Sequence, residues 1–304
     1  MTDVTRARPV APWPTTGPVD PPLPAVREAV ARALAEDLGP DGDLAAALLP
    51  ASATTVARVV ARADGVLAGK LCASEVFARV DPALAVTWRL GDGDRLVAGR
   101  VVAEVSGALR SVHTAERSAL NFLCHLSGIA TLTRRYVDAV TAANPATRVL
   151  DTRKTTPGLR ALEKAAVRAG GGWNHRAGLS DVVLVKDNHL GHMGVAEAVA
   201  RARAQWPGRV VEVECDVVDQ VRAAVDAGAD AVLLDNMTPT EVARCVSLVR
   251  AAPSGSGRLL AEVSGGVTLD TAPGYAAAGA DLVSVGALTH SAPALDLGLD
   301  LAKD

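Results

Sequence analysis

Aromatic side chains are scarce in this chain: two Phe, two Tyr and four Trp make up 3% of 304 residues. Ala, Val and Leu must therefore do most of the packing, within a hydrophobic content of 49% against 21% charged residues. That balance suits a globular protein with a sizeable core, built as one large domain or two ordinary ones. No apolar run is long enough to cross a bilayer, and the N-terminus carries no apolar signal core, so no membrane attachment is expected. The net charge of −3 gives no overall attraction for nucleic acid, and any anion must be held by a local cluster. Cysteine is limited to Cys72, Cys124, Cys215 and Cys245, without CxxC spacing. Neither a disulfide framework nor a zinc motif is implied, and the four read as reduced thiols of a cytoplasmic protein.

Lysine is the most informative shortage. Among 31 Lys and Arg residues only Lys70, Lys154, Lys164, Lys186 and Lys303 are lysines. Lys154 and Lys186 each stand just past a short apolar run, where a compact ammonium serves differently from a planar guanidinium. The plainer alternative, two solvated loop lysines, fits polar helix faces better than the ends of apolar strands. Between them runs Val149 to Leu190, VLDTRKTTPGLRALEKAAVRAGGGWNHRAGLSDVVLVKDNHL. Thr156-Pro157-Gly158-Leu159 has Pro and Gly where a type II turn needs them. Leu159 to Ala169 reads as a helix closed by glycines. The loop that follows carries His175 and Arg176, so two strand ends and a glycine-loosened loop all present cations. Such a layout suits a multiply charged anion.

Residues 1–23, rich in Pro and Thr, read as a mobile arm. Val26, Val30, Leu34 and Leu38 then recur at helical spacing up to Gly39-Pro40, and strand-like pieces follow at Thr54–Arg62, Leu84–Leu90 and Arg100–Val105. Residues 24–112 thus read as an antiparallel sheet covered by one or two helices. The GDGD at 91–94 is no phosphate loop, because Asp92 and Asp94 would repel the ligand. From His113 to Val140 the pattern is helical, with Arg117 and Asn121 one turn apart, and residues 113–144 read as connecting helices.

Residues 145–288 change to short apolar runs alternating with Ala-rich helical segments: Arg148–Leu150, Val182–Val185, Val210–Val213, Ala231–Leu234, Leu259–Val263 and Leu282–Val285. That spacing predicts repeated βα units with six parallel strands, and chemistry at the strands' carboxyl ends. Arg153, Lys154 and Lys186 make the first two exits cationic, Glu214 and Asp235 make the middle two anionic, and Ser264-Gly265-Gly266 and Gly286-Ala287 make the last two small. Small exits suit a phosphate held by main-chain amides. The anionic pair suits sugar hydroxyls or a divalent cation, and the cationic pair carboxylates or pyrophosphate. A phosphorylated sugar with a second anionic group would fit all three sectors. Glu212 shares a strand face with Glu214, as Glu262 does with Ser264, and both inner glutamates read as members of a buried structural ion pair. His189 and His192, an HxxH without a third ligand, are not expected to bind metal.

At these residues the chain resembles the quinolinate phosphoribosyltransferases, the decarboxylating enzymes also called nicotinate-nucleotide pyrophosphorylases. The carriers are HTAER at 113–117, NFL at 121–123, LSGIAT at 126–131, DTRKTTPGLR, GGGWNHRAGLSD, KDNH, EVE at 212–214, LDN at 234–236 and SGG. Together they span about Leu23 to Leu295 and are highly specific. The resemblance implies an N-terminal α/β sandwich, an incomplete six-stranded α/β barrel, and residues 289–304 packed back on the N-terminal domain. It implies that quinolinate and phosphoribosyl pyrophosphate, with Mg²⁺, give nicotinate mononucleotide, pyrophosphate and CO₂. It places quinolinate on Arg153, His175, Arg176 and Lys186, with Arg117 donated in trans within a homodimer or multiple of dimers. Lys154 falls at the reacting centre, Glu214 and Asp235 at the ribose and metal, and Ser264, Gly265, Gly266, Gly286 and Ala287 at the 5′-phosphate. Departures occur at Asp41–Ala46, where the family usually has Thr after Gly-Asp, and at Cys124-His125, where a Gln is usual. The alternatives are a nicotinate phosphoribosyltransferase, for which four cations are excessive, and a non-catalytic homologue that binds an oxyanion or metabolite.

Overall fold

The computed structural model describes residues 13–252 and 259–302. Of the mobile arm expected over residues 1–23, residues 1–12 lie outside the described residues; Thr15, by contrast, is held in place by two main-chain hydrogen bonds with Asn174, of 3.2 and 3.0 Å. The first helix, α1 (Leu23–Leu38), buries Val26, Ala29, Val30 and Leu34 at the spacing of one helix face and ends at Gly39, whose φ of 54° favours glycine. Then come β1 (Thr54–Ala61), β2 (Gly65–Val66), α2 (Lys70–Val80), β3 (Ala85–Trp88), β4 (Arg95–Leu96) and β5 (Val101–Ala108). The long helix α3 (Leu109–Ala143) follows without a break. It begins four residues before the expected His113.

After it the chain alternates: β6 (Arg148–Leu150), α4 (Arg160–Ala169), β7 (Val183–Val185), α5 (Asp187–Leu190), α6 (Val195–Gln205), β8 (Val211–Cys215) and α7 (Val218–Asp226). The alternation continues with β9 (Ala231–Asp235), α8 (Pro239–Ala251), β10 (Leu260–Ser264), α9 (Ala272–Ala277), β11 (Leu282–Ser284), α10 (Ala287–His290) and β12 (Leu297–Leu301). All six apolar runs singled out above are strands, with ends that shift by no more than two residues. The α4 terminus also forms as read. Gly171 adopts φ 85°, and the N–H groups of Gly171 and Gly172 bond the carbonyls of Arg168 and Val167. These are the two bonds of a glycine-terminated helix end.

Two compact units share these elements. One comprises Thr16–Arg134, Lys154–Gly172 and the chain from Ala287. Its antiparallel sheet has the order β12-β1-β5-β3, with β2 and β4 as a separate pair. The helix α2 buries Cys72, Ala73, Val76 and Phe77 on one face. The other unit holds Arg135–Arg153, Trp173–Gly286 and the described residues up to Thr15. Its sheet is parallel, in the order β6-β11-β10-β9-β8-β7. β6 and β7 are its edges, so the six strands form an incomplete barrel. Strands β8 and β10 are apolar except for Glu212, Glu214, Glu262 and Ser264, and the register sets both Glu214 and Glu262 opposite Leu233 of β9. Because all six strands run the same way, their carboxyl ends lie along one edge. Among the described residues no helix is long and apolar enough to cross a membrane.

Candidate active site

The exit of β6 and the His175-Arg176 loop are clamped together by the main chain. Trp173 N–H donates to Val149 O at 2.8 Å, and Asp151 N–H donates to Trp173 O at 3.2 Å. Asp151 is fully buried and spends its carboxylate on the same loop: Oδ1 accepts the His175 N–H at 2.9 Å, and Oδ2 accepts the Asn174 amide at 2.6 Å. Charged acceptors make the stronger class of hydrogen bond, so this buried aspartate fixes where His175 and Arg176 start. The sequence alone gives neither Asp151 nor Asn174 a role. Their signal was in the motifs DTRK and NHR, but the contact joins residues 23 apart.

His175 is 8% exposed, and both of its ring nitrogens are engaged. Nδ1 accepts the Arg176 N–H at 2.7 Å, and Nε2 lies 3.3 Å from an oxygen of Glu212 and 3.3 Å from one of Glu262. Burial would lower this imidazole, but Glu262 and Glu212 outweigh it and raise it to about 10. The Arg176 N–H, however, occupies the Nδ1 lone pair where a second proton would go. The imidazole and the two buried carboxylates thus share their protons as one coupled group, the charge of each depending on the other two. Burial first, then the charge of Glu262, pushes the Glu212 carboxyl up to about 7. One ligand atom from each of His175, Glu212 and Glu262 lies within 4.8 Å of the others, close enough to hold a metal ion. The two glutamates are buried together, with His175 as the third member of the cluster that the sequence alone did not identify.

Arg176, 9% exposed, donates from Nη1 to Val182 O at 3.3 Å. Burial and then the charge of Arg153 pull its guanidinium below the ordinary arginine range. Two guanidiniums that repel each other beside buried surface are stabilised by an anion between them. Arg153, Arg176 and Lys186 line one cleft of about 480 Å³, together with His189, Trp206 and Arg209. Trp206 and Arg209 were not expected there. Lys186 also bonds the carboxylate of Glu214, so the second cationic exit meets the first anionic one. His189 turns Nδ1 back to accept the Lys186 N–H at 2.9 Å, and so stabilises the first turn of α5.

Asp235 ends β9 half-buried, and its carboxylate accepts the Asn236 amide at 2.6 Å. Ser264 stands opposite it in β10. Gly265 cannot be another residue without movement, since its φ is 87° and a Cβ would lie 2.3 Å from Asn236 Oδ1 and 2.8 Å from Asn236 N. Gly266 is also left-handed, with open space around it. The tight Asn236–Gly265 approach brings the exits of β9 and β10 together.

Of the candidate residues, one unit brings together Arg153, His175, Arg176, Lys186, Glu214, Asp235, Ser264, Gly265, Gly266 and Gly286. Arg117, Lys154 and Ala287 belong to the other. Lys154 is exposed directly after Arg153 in the chain, Ala287 opens α10, and Arg117 is exposed on α3 one turn before exposed Asn121.

The family models for the N-terminal and C-terminal domains of quinolinate phosphoribosyl transferase match residues 43–127 and 129–300. A nicotinate-nucleotide pyrophosphorylase [carboxylating] of Mycobacterium leprae is 45% identical over 285 residues, 91% of this chain and 97% of that protein. A probable nicotinate-nucleotide pyrophosphorylase [carboxylating] of Bacillus subtilis is 40% identical over 269 residues, 88% of this chain and 90% of that protein. The solved structure of the nicotinate-nucleotide pyrophosphorylase from Francisella tularensis superimposes with a TM-score of 0.88 at 37% identity, over 95% of this chain and all of that one.

Proposed function

The chain belongs to the quinolinate phosphoribosyltransferase family, and from that premise we propose how its residues carry out phosphoribosyl transfer to quinolinate, the carboxylating nicotinate-nucleotide pyrophosphorylase reaction of NAD synthesis. The convergence of Arg153, Arg176 and Lys186 on one cleft carries the reading. These three take the two carboxylates of quinolinate, and His175, whose Nδ1 holds the Arg176 N–H, sets where that guanidinium starts. Each cation–carboxylate hydrogen bond is worth about 1.5–3 kcal/mol. Ser264, Gly265, Gly266, Gly286 and Ala287 receive the 5′-phosphate of phosphoribosyl pyrophosphate through main-chain N–H groups.

With both polyanions oriented against their mutual repulsion, the pyridine nitrogen attacks the anomeric carbon and pyrophosphate leaves with the bonding electrons. Positive charge grows on the ribose ring as this happens, and Glu214 and Asp235 face it as carboxylates. Lys154 supports the charge on the leaving group. The N-ribosylated ring is a pyridinium, whose cationic nitrogen stabilises the electron pair left on the neighbouring ring carbon when the carboxylate departs as CO₂. A proton at that carbon completes nicotinate mononucleotide.

Glu214 and Asp235, carboxylates at the ends of adjacent strands, are hard oxygen donors of the kind Mg²⁺ takes. Mg²⁺ held by these two carboxylates would supply Lewis-acid neutralisation of the pyrophosphate. Arg117, exposed outside the barrel, is read as serving the barrel of a second subunit in a homodimer or multiple of dimers. The four cysteines are free thiols, which supports a cytoplasmic setting.

Glu214→Gln and Asp235→Asn test the separation of sectors. Each should cut turnover on the order of a hundredfold and weaken the magnesium dependence. Quinolinate affinity, measured by titration without the sugar donor, should stay within a few-fold of wild type. Loss of that affinity would place these acids in the quinolinate site and sink the assignment.

A further inference from the structure

The turn after Lys154 is anchored by a residue with no assigned part in the reaction. Glu163 of α4 is fully buried and uses both carboxylate oxygens. Oε2 accepts the Thr156 N–H at 3.1 Å, and Oε1 lies 2.9 Å from His125 Nε2 on α3. Glu163 stands with Leu162, Ala166 and Val167 on the buried face of α4, where a charged side chain is costly to keep unless it is fully bonded. Its bond to Thr156 holds the entry to the Thr156–Leu159 turn, which closes through Leu159 N–H to Thr156 O at 3.0 Å, with Gly158 at φ 80°. On the other side, the Lys154 carbonyl accepts the hydroxyl of Thr289 at 2.8 Å, and Thr289 is 3% exposed in α10. Between these anchors, Thr155 Oγ1 accepts Arg160 Nε at 3.1 Å. Three successive residues, 154, 155 and 156, are each bonded to a separate support.

We propose that Glu163 and Thr289 are positioning residues for Lys154, holding the main chain that leaves its Cα, at the Lys154 carbonyl and the Thr156 N–H, so that its ammonium meets the leaving group. The proposal rests on the reading of Lys154 as a catalytic residue. A flexible four-carbon side chain reaches a defined point only if its Cα is fixed, and misplacement by about 1 Å costs up to about a hundredfold in rate. Because neither residue touches substrate, kcat is the constant that moves.

The test uses the full-length enzyme with four variants beside wild type, with rates expressed per folded protein. Glu163→Ala and Thr289→Val should each lower kcat roughly ten- to a hundredfold, with the quinolinate Kd unchanged within about twofold. Thr289→Ser, which keeps the hydroxyl, should restore kcat to within about threefold of wild type. Should Glu163→Ala fail to fold, Thr289→Val against Thr289→Ser carries the comparison. Lys154→Ala separates the two readings. If it abolishes turnover while Thr289→Val keeps wild-type kcat and loses only thermal stability, the positioning proposal is overturned and the role of Lys154 stands. If Lys154→Ala itself turns over normally, both fall.

Discussion

Quinolinate should be used with a kcat/KM on the order of 10²–10⁴ above that for nicotinate. The expectation comes from the number and burial of the cations. Arg176 is buried, and burial first, then the charge of Arg153, already destabilises its ionised form. Lys186 enters the same cleft but shares its charge with Glu214. A ligand with two carboxylates satisfies the guanidiniums and the ammonium together. Nicotinate lacks the carboxylate next to the ring nitrogen and leaves one cation of the group without an anion, at a cost of several kcal/mol. Initial rates with each acid at one concentration of phosphoribosyl pyrophosphate settle the matter. Comparable kcat/KM for the two acids would mean that the cations serve something other than quinolinate.

Arg117→Ala and Lys186→Ala should each be nearly inactive alone and should recover together. Arg117 is exposed on α3 and belongs to a different unit from the cation cleft. If each subunit lends Arg117 to the other's barrel, a mixed dimer holds one intact site, made of the Lys186-bearing barrel and the other chain's arginine. Random exchange makes about half of the dimers mixed, so activity should return to roughly a quarter of wild type. A tagged pull-down must first show that subunits exchange. No recovery after proven exchange means that Arg117 acts on its own barrel or on none.

Much of this architecture was legible because local pattern and tertiary role coincide. Each of the six parallel strands is a short apolar run ended by a polar or glycine residue, and the run survives because the strands are buried in the sheet. The turn at Thr156–Leu159 and the end of α4 follow from where Pro157, Gly158 and Gly171 stand, since these positions demand special backbone angles. Other features had no local signal. The helix α2 was not located, because its buried Cys72, Ala73, Val76 and Phe77 lie in a stretch dominated by strand-like pieces. The engagement of His175 with Glu212 and Glu262 depends on three separate segments meeting, and the role of Asp151 depends on main-chain hydrogen bonds that side-chain chemistry does not announce. Glu163 did carry a clue, a carboxylate on the apolar stripe of a helix, but its partners His125 and Thr156 could be named only from coordinates.

The central claim is that one site joins ribosylation of quinolinate to loss of its carboxylate. The direct test follows the carbon of the carboxyl group beside the ring nitrogen, in quinolinate labelled at that position, incubated with the enzyme and Mg²⁺. Labelled CO₂ should appear in equal amount with nicotinate mononucleotide, only when phosphoribosyl pyrophosphate is present, and neither should form with Lys154→Ala. Label retained in a ribosylated product, or CO₂ released without the sugar donor, would contradict the account.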